Sequence, residues 1–545
     1  MSSDLKIILA QLNFHVGDIE GNCKKILENI ECAKSEYAAD CIVFTELALI
    51  GYPPEDLIFR TKIKERIEKS LGYIQNAAKG IVVIVGTPWV EDELRFNAAL
   101  VMQDQLIIAR YYKNILPNYS EFDEERYFSS GDETCVFKLN DTSIGLAICE
   151  DVWDFGPVAQ AKQAGAELVI SINASPFHEK KQVERIKAVS KQVAENQLPI
   201  LYVNQVGGQD ELVFDGSSFV MDQQQKVVLK ASLCEEDLLP VNYETDQRRF
   251  TSCQNLSPEA DSLEVIYRVL TLGLKDYVDK NRFKGGLIGL SGGIDSALAL
   301  TLAVDALGAD RVQAVMMPSQ YTSQMSLEDA EQLAKNLGVK YTVIEITSIM
   351  NSFASALESL FEETSQDTTE ENIQARIRGM LLMALSNKFG YMVISTGNKS
   401  EMAVGYATLY GDMAGGFAPL KDVPKTRVFE LSRYRNEREF VIPQRIIDRP
   451  PSAELAPDQI DEDSLPPYEM LDQILELFIE NDASRDDIFK QGFDEETVSK
   501  VIKMVFQNEY KRRQAPPGIK ITQRAFGKDR RYPITSGVLN YLKES

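Results

Sequence analysis

The chain has 545 residues, of which 44% are hydrophobic and 26% charged, so we expect two or more globular domains, each with its own core. A formal net charge of −24 argues against a nucleic-acid-binding surface, which requires clustered lysine and arginine. No apolar run reaches the roughly 18 residues of a membrane span, and the first residues lack a signal-peptide pattern. Neither a nucleic acid nor a membrane is therefore expected as a partner.

The cysteines and histidines restrict the chemistry further. The seven cysteines are scattered singly without a CxxC pair, which fits a reducing cytoplasm and predicts no zinc site. His15 and His178 are the only two histidines of the sequence, and neither lies in a recognisable motif. Catalysis is therefore expected to depend on Lys, Glu, Asp, Cys and bound metal.

Short β-rich runs alternate with amphipathic helices from the N-terminus to about Val241. One helix is predicted from Asn22 to Tyr37, and a hairpin is predicted to turn near Gln103 and Asp104. The predicted strands are 6–13, 41–46, 80–88, 97–103, 105–113, 142–151, 167–173 and 199–205. This alternation predicts a layered α/β sandwich with a mixed sheet.

Polar residues without periodicity run from Asn242 to Asp261 and indicate a linker. We therefore predict an N-terminal domain at residues 1–245, a linker at 246–261 and a C-terminal domain at 262–545. The more regular alternation of strands and helices beyond the linker predicts a doubly wound parallel sheet. In that domain we predict a helix at 262–280, strands at 286–290, 312–316, 340–346 and 391–396, and mobile surface loops at 362–372 and 450–467.

Three residues of the first half follow or end predicted strands, namely Glu46, Lys113 and Cys149. Loops at such strand ends commonly carry functional groups. A nearby cation would lower the pKa of a thiol, and a carboxylate can accept the thiol proton and later activate water. Taken singly, each residue has an ordinary explanation, because a lone cysteine is usually a buried apolar residue and lone charges are usually solvated.

The sequence GLIGLSGGIDSAL (286–298) joins an apolar strand to an apolar helix through a loop with two glycines. Such a junction presents free backbone N–H groups and a helix N-terminus to an anion such as phosphate. The loop is not a Walker A motif, since it lacks Gly-Lys-Ser/Thr. It carries Asp295, a hard-oxygen ligand suited to Mg²⁺. The alternative is an ordinary glycine-rich turn, but SGGxDS resembles the pyrophosphate loop of ATP pyrophosphatases.

Three further segments of the C-terminal half have features that matter for binding. Residues 395–426 are a long run of small and polar residues after a strand, which is typical of a binding loop. Upstream of it, residues 371–390 are predicted to form an amphipathic helix with Asn372 and Arg376 on one face. Residues 508–522 carry four basic residues on an acidic chain. They form either a solvated basic helix end or a phosphate-binding tail.

Three segments of the first half resemble the nitrilase superfamily, namely FTELALIGYPPEDL, YYKNILPNYSEFDEERYF and LAICEDVW. The resemblance implies an α-β-β-α sandwich with a Glu–Lys–Cys triad that hydrolyses amides or nitriles. Glu46 would be the general base, Lys113 would stabilise the oxyanion and Cys149 would be the nucleophile. The motifs NASPFHEKK and NQVGGQDELVFDGSS extend the match. Within the amidotransferase branch, the glutamine-holding positions correspond to Tyr119, Ser175 and Lys181.

The motifs SGGIDS, NIQARIRG, STGNKSE and KRRQAPPGIKIT, in this order, resemble the NAD⁺ synthetases. Together with the nitrilase-like half, the whole chain resembles the glutamine-dependent members of that family. The implied substrates are L-glutamine, ATP and deamido-NAD⁺, and the implied reaction forms NAD⁺, AMP and diphosphate through an adenylated carboxylate that ammonia attacks. The resemblance also implies a cytoplasmic homo-oligomer.

The same resemblance assigns residues to the ligands of the second half. The ATP-binding residues would be Gly289, Leu290, Ser291, Gly292, Gly293, Ile294, Asp295, Ser296 and Thr396. Deamido-NAD⁺ would be bound by Asn372, Glu401 and Lys511. Asp295 and Glu401 are the expected Mg²⁺ ligands, because two carboxylates beside phosphates form a hard-oxygen site.

Two other hypotheses remain open from the sequence. The chain could be a glutamine-dependent ligase that acts on another carboxylate or on a purine. It could also be a non-catalytic sensor of glutamine or a dinucleotide, although a sensor has no need of the nucleophile Cys149.

Overall fold

The computed structural model describes residues 4–251, 260–457 and 459–538. The chain divides into two compact units, Met1–Ala260 and Asp261–Ser545. None of the helices in these described ranges is both long and apolar enough to cross a membrane.

Two sheets stack in the first unit, and helices cover both outer faces. The strands are β1 Leu5–Gln11, β2 Cys41–Val43, β3 Val82–Glu91, β4 Leu94–Gln103, β5 Leu106–Tyr112, β6 Val136–Leu139, β7 Thr142–Ile148, β8 Leu168–Asn173, β9 Ile200–Asn204, β10 Val206–Gln209, β11 Leu212–Asp215, β12 Phe219–Met221, β13 Val227–Lys230, β14 Asp237–Glu244 and β15 Arg249–Thr251. The helices are α1 Ile19–Ser35, α2 Thr61–Ala77, α3 Gly156–Gln163 and α4 Lys181–Asn196.

The sheet order explains why this unit is a sandwich. One sheet runs β15-β14-β1-β2-β3-β4-β5, the other runs β13-β12-β9-β8-β7-β6, and β10 pairs with β11 alone. The apolar faces of the two large sheets share one core, in which Leu9 and Val43 of the first pack with Ile148 and Ile170 of the second. The other face of the first sheet packs on α1 and α2, and that of the second on α3 and α4. The predicted α-β-β-α sandwich is confirmed.

The second unit is built on a parallel sheet. Its strands are β16 Gly286–Gly289, β17 Val312–Met316, β18 Lys340–Val343 and β19 Met392–Ile394, in the order β18-β17-β16-β19. All three strand pairs are parallel, as the alternation predicts. The helices are α5 Ser262–Lys280, α6 Ile294–Leu307, α7 Gln324–Asn336, α8 Thr347–Phe361, α9 Thr368–Phe389, α10 Lys399–Val404, α11 Lys425–Arg438, α12 Gln444–Asp448, α13 Tyr468–Leu475, α14 Arg485–Phe489, α15 Glu495–Gln507 and α16 Glu509–Arg512.

Part of the predicted linker at 246–261 is strand. Residues 249–251 form β15, which pairs with β14 at the edge of the first sheet. An edge hairpin exposes much of its surface, so its sequence is polar and resembles a linker. Residues 252–259 of the predicted linker lie outside the described residues.

Both predicted surface loops of the second half contain more order than expected. The stretch 362–372 was expected to be a loop, but α9 begins at Thr368, because Asp367 accepts the N–H of Thr369 and Glu370 accepts the N–H of Asp367. This reciprocal cap satisfies free N–H groups of the first turn. The stretch 450–467 is likewise anchored: Glu454 accepts hydrogen bonds from Ser323 Oγ at 2.8 Å and Ser326 Oγ at 2.7 Å.

Two candidate active sites

Cys149 occupies a strained position at the end of β7. It is buried and has φ of 47°, in the left-handed region that disfavours side chains. A short turn over Cys149–Val152 follows. Asp151 fixes this turn, since its carboxylate accepts the N–H of Ile148 at 2.9 Å and the hydroxyl of Tyr111 at 2.8 Å. The strand end therefore presents the thiol in one defined orientation.

Glu46 and Lys113 are joined directly in the interior of the first unit. Lys113 Nζ donates to Glu46 Oε1 at 2.8 Å, and both side chains are fully buried. Asn97 Nδ2 also donates to Glu46 Oε1, at 2.7 Å, and Ala174 N donates to Glu46 Oε2 at 2.9 Å. Glu46 follows β2, which ends at Val43 and is shorter than predicted. Each predicted triad residue thus lies at or after a strand end.

Glu124 is a member of this cluster that the sequence analysis missed. Its Oε1 accepts from Lys113 Nζ at 2.8 Å and from the Tyr52 hydroxyl at 2.8 Å. Burial raises the pKa of Glu124 to about 7, although Lys113 opposes the shift. The sequence offered one indication of its role, namely its place in the nitrilase-like segment YSEFDEERYF. That segment contains four acidic residues, and the sequence does not show which of them is buried.

Burial determines the protonation of the thiol. It raises the pKa of Cys149 well above its usual value, Glu46 adds to the rise and Lys113 opposes it. Burial disfavours the charge on Lys113, but Glu124 and Glu46 outweigh it and raise the pKa of the ammonium. The resting pair is therefore a neutral thiol and a charged lysine, so the thiol needs a base before it can attack.

Two of the three predicted glutamine-holding residues, Tyr119 and Lys181, contact residues that closely follow Cys149 in the chain. The hydroxyl of Tyr119 donates to Glu150 Oε1 at 3.0 Å, and Glu150 directly follows the nucleophile. Lys181 begins α4, and its Nζ lies 4.3 Å from the ring centroid of Trp153. Ser175 is buried after β8. The charge of a Cys149 thiolate would raise the pKa of both Tyr119 and Lys181, so these two side chains share the electrostatic environment of Cys149.

The SGGIDS loop of the second unit is held by its own serines. The Oγ atoms of Ser291 and Ser296 lie 3.0 Å apart, and Ser296 Oγ donates to the carbonyl of Gly293 at 3.0 Å. Gly292 has φ of +83°, and a Cβ there would lie 2.6 Å from the carbonyl oxygen of Ser326. Glycine is required at this position, and the loop leads directly into the N-terminus of α6.

A cavity lies beside this loop. The predicted ATP residues 289–291, 293–296 and Thr396 line it together with Glu401, whereas Gly292, Asn372 and Lys511 do not. Asn372 Oδ1 instead accepts from Thr408 Oγ1 at 2.7 Å. Lys511 Nζ donates to the carbonyls of Gly405 at 2.7 Å and Ala407 at 2.9 Å. Asn372 and Lys511, two of the three residues predicted to bind the dinucleotide, therefore do not line the cavity and instead bond to residues 405–408 next to it.

The predicted metal ligands converge on a lysine that the sequence analysis missed. Lys425 Nζ donates to Asp295 Oδ2 at 2.5 Å and to Glu401 Oε1 at 3.1 Å. Burial raises the pKa of Glu401 to about 8, with Asp295 adding to the rise and Lys425 opposing it. When Glu401 is ionised, the two carboxylates carry one more charge than the ammonium of Lys425 neutralises, and a hard-oxygen pair of this kind suits a divalent cation such as Mg²⁺.

The cavity has further walls that the sequence analysis did not assign. Arg378 lines it, and burial lowers the pKa of this guanidinium to about 10. Residues 451–455 also line it, so the stretch 450–467 is partly a cavity wall rather than only a surface loop. Arg378 lies within NIQARIRG, and Lys425 within the binding run 395–426. The motifs included these residues, but no spacing rule distinguished them.

Each half of the chain matches a known protein family. A carbon-nitrogen hydrolase family model matches residues 6–249, and an NAD synthase family model matches residues 266–515. The glutamine-dependent NAD(+) synthetase of Acinetobacter baylyi is 48% identical over 98% of both chains, and that of Thermotoga maritima is 45% identical over 98% of both.

A solved structure agrees over the full length. The glutamine-dependent NAD+ synthetase of Acinetobacter baumannii, in complex with adenosine diphosphate, has a TM-score of 0.80 and 46% identity, covering 98% of this chain and 99% of that one. Sequence identity of 45–48% over nearly the full length of these proteins is sufficient to assign the chain to their family. This chain belongs to the glutamine-dependent NAD(+) synthetases, which are ATP-using carbon–nitrogen ligases.

Proposed function

We propose that this chain amidates deamido-NAD⁺ to NAD⁺ with ammonia taken from L-glutamine, consuming ATP and giving AMP, diphosphate and L-glutamate. The observation that carries the proposal is the presence of two complementary sites on one chain. One has a buried thiol beside a carboxylate–lysine pair, and the other has a serine-braced anion loop beside a carboxylate pair. The first suits amide hydrolysis, and the second suits adenylation.

Glu46 acts as general base in the first site. It takes the proton of Cys149, whose sulfur attacks the carboxamide carbon of glutamine and forms a tetrahedral oxyanion. Lys113 stabilises that oxyanion together with the backbone N–H after Cys149. Collapse expels ammonia, which takes the proton from Glu46, and leaves a thioester. Water, activated by Glu46, hydrolyses the thioester to glutamate and regenerates the thiol.

Substrate is held by groups of matching charge. We assign Lys181 to the α-carboxylate of glutamine, and Ser175 and Tyr119 to hydrogen bonds that their uncharged hydroxyl groups make with the substrate. The tight association of Lys113 with two buried carboxylates keeps its ammonium charged and fixed. It can therefore stabilise developing negative charge without reorganisation.

Activation of the acceptor is assigned to the second site. The nicotinate carboxylate attacks the α-phosphorus of ATP, which releases diphosphate and leaves an acyl adenylate. Ammonia then attacks the acyl carbon, AMP departs and the amide of NAD⁺ is formed. The loop 289–296 holds phosphates, Thr396 contacts the nucleotide, and Asn372, Glu401 and Lys511 bind the dinucleotide. Asp295 and Glu401 would hold Mg²⁺, which supplies charge neutralisation for the diphosphate leaving group.

The finer attributes of the enzyme are also proposals. We assign the glutaminase to residues 1–245 and the synthetase to residues 262–545, and we expect a homo-oligomer in the cytoplasm. In support, the two family models match residues 6–249 and 266–515.

One assay tests the proposed function. Purified protein is incubated with deamido-NAD⁺, ATP, Mg²⁺ and L-glutamine, and NAD⁺, AMP and glutamate are measured. Equimolar formation of all three is expected. Parallel reactions offer other carboxylates or a purine in place of deamido-NAD⁺. Turnover with one of those acceptors but not with deamido-NAD⁺ would overturn the proposal, and tight ligand binding without turnover would favour a sensor.

A further inference from the structure

Arg185 is a fully buried arginine on α4 that the proposed mechanism does not use. Its Nε donates to Ser175 Oγ at 3.1 Å. Its Nη1 donates to Asp215 Oδ1 at 2.7 Å and to Gln182 Oε1 at 3.1 Å, and its Nη2 donates to the carbonyls of Ser175 at 2.7 Å and Pro176 at 3.1 Å. A guanidinium has five N–H donors, and each has an acceptor here. Arg185 has no donor left to bind a ligand.

These contacts determine what Ser175 can do. Arginine has no acceptor, so Ser175 Oγ must accept the bond from Nε, and its own proton remains for a second partner. The neighbouring hydroxyl of Tyr202 competes with a ligand for that proton. The backbone of Ser175 is fixed as well, because its N–H donates to Asn204 Oδ1 at 2.9 Å while its carbonyl accepts from Arg185. One lone pair of Ser175 Oγ is thereby occupied, and the hydroxyl keeps its proton for use as a hydrogen-bond donor.

Burying the Arg185–Asp215 ion pair costs free energy of hydration, which indicates that the pair does more than fill space in the core. A buried ion pair such as Arg185–Asp215 gives up hydration that its mutual attraction only partly offsets. A neutral pair of similar volume would pack at lower cost. A neutral pair would, however, lack a rigid, planar set of donors that binds both the hydroxyl and the carbonyl of Ser175.

We infer that Arg185 is a positioning residue that makes Ser175 a hydrogen-bond donor to the α-carboxylate of L-glutamine. The inference rests on the proposed function of the first site. Because Lys181 supplies charge and Ser175 supplies a directed proton, the pocket selects a ligand with an anionic acceptor at this point. Arg185 affects glutamine binding through Ser175 and never touches the substrate.

The test is a mutant cycle on glutamine hydrolysis. Arg185→Gln combined with Asp215→Asn removes both charges together, so no lone charge is left buried. This double variant should raise KM for L-glutamine at least about tenfold, with a smaller change in kcat. Ser175→Ala should raise KM similarly, and adding it to the double variant should change KM by less than about twofold. Lys187→Gln, an exposed site on the same helix, is the matched control and should behave as wild type.

The possible outcomes separate this inference from the proposed function. The inference would be overturned if the increases in KM caused by Ser175→Ala and by the Arg185 double variant multiplied when combined, or if the Arg185 double variant left KM unchanged. Either result would leave the proposed function intact. No effect of Ser175→Ala would instead refute the proposed glutamine contact. If circular dichroism shows that the double variant does not fold, Arg185→Lys keeps a charge opposite Asp215 but offers three donors, and it should raise KM in the same way. A wild-type KM for Arg185→Lys would also overturn the inference.

Discussion

Cys149 combines a left-handed backbone with burial and with a neutral thiol at rest. A thiol in that state depends on Glu46 for activation, and Glu46 is held by Lys113, Asn97 and the N–H of Ala174. The carboxylate is therefore oriented before substrate arrives. Loss of the nucleophile should stop glutamine use without affecting a second site that takes free ammonia.

We predict that Cys149→Ala abolishes glutamine-dependent NAD⁺ synthesis and leaves ammonia-dependent synthesis within about twofold of wild type. The reason is that the thiol lies in one unit and the anion loop in the other. NAD⁺ formation is measured with each nitrogen source in turn. Cys135→Ala is the matched control, since Cys135 is also buried in the same unit and should retain both activities. A folded Cys149→Ala protein that loses both activities would show that the two functions are not divided in this way.

Asp295 is predicted to matter for both nitrogen sources. Asp295→Asn removes one carboxylate from the pair that shares Lys425. With this pair as the proposed Mg²⁺ site, the developing charge on diphosphate would lose its metal-borne stabilisation. We expect NAD⁺ formation to fall on the order of 10²-fold or more with either glutamine or ammonia. Glutamine hydrolysis should be retained. Near wild-type synthesis at saturating Mg²⁺ would eliminate Asp295 as a ligand.

The limits of sequence reasoning at this scale are visible in Glu124, Arg185 and Lys425. All three are charged residues, and a charged residue in a sequence is most simply assigned to the surface. Each is buried only because partners distant in the chain neutralise it: Lys113 for Glu124, Asp215 for Arg185 and Asp295 for Lys425. No local periodicity encodes such pairs. Glu46, Lys113 and Cys149 could be singled out from the sequence because strand ends and family motifs coincide at these residues.

At the scale of elements, long apolar strands and amphipathic helices were predicted from their periodicity, and 262–280 matches α5. The strands β10 to β15 were missed because several have only three or four residues, and the last forms a polar sheet edge. Short strands are stabilised by their neighbours rather than by their own pattern. The stretch 450–467 was assigned to a loop for its prolines, yet its contacts with α7 close one wall of the cavity.

The cavity wall formed by residues 451–455 can be tested by removing its contacts with α7. Glu454→Ala removes the hydrogen bonds to Ser323 and Ser326, so residues 451–455 should detach from α7 more often. We expect faster cleavage of this segment in limited proteolysis, protection by ATP, and a rise in KM for ATP of about tenfold. Glu462→Ala, an exposed carboxylate of the same segment, serves as the control. Unchanged proteolysis in the Glu454 variant would mean that other contacts hold the wall.

The basic segment 508–522 is also an element with a defined role in the fold. Lys511 holds the carbonyls of Gly405 and Ala407 beyond the C-terminal end of α10, and Arg512 donates to the carbonyl of Ala403 at 2.6 Å. Helix α10 carries Glu401 toward the cavity. These contacts contradict a simply solvated helix end, and a phosphate-binding role of the segment stays a prediction.

We predict that Lys511→Ala raises KM for deamido-NAD⁺ by about 10- to 150-fold, the cost of losing a charge-assisted contact. KM for glutamine should stay at the wild-type value. Steady-state kinetics with each substrate varied in turn provide the measurement, and Arg513→Ala is the neighbouring basic control. Equal increases in KM for ATP and deamido-NAD⁺ would assign Lys511 to the support of α10 rather than to the dinucleotide.

The whole molecule combines a reaction that releases ammonia with one that consumes it. Ammonia in water at neutral pH is mostly ammonium, which has no lone pair for attack. Ammonia leaves the thioester-forming step unprotonated, so an enzyme that uses it before it equilibrates with solvent avoids this loss. The two nitrogen sources should therefore respond differently to pH.

We predict that ammonia-dependent synthesis, at a fixed total ammonium concentration well below saturation, rises by about tenfold from pH 7 to pH 8, because the unprotonated fraction rises by that factor per unit. Glutamine-dependent synthesis should change much less over the same interval. Both rates are measured with deamido-NAD⁺ and ATP saturating. Cys149→Ala assayed with ammonium should reproduce the steep profile, which assigns it to the synthetase unit alone. If the glutamine-dependent rate rises as steeply, the released ammonia equilibrates with solvent before use, and the two reactions share a chain without sharing an intermediate.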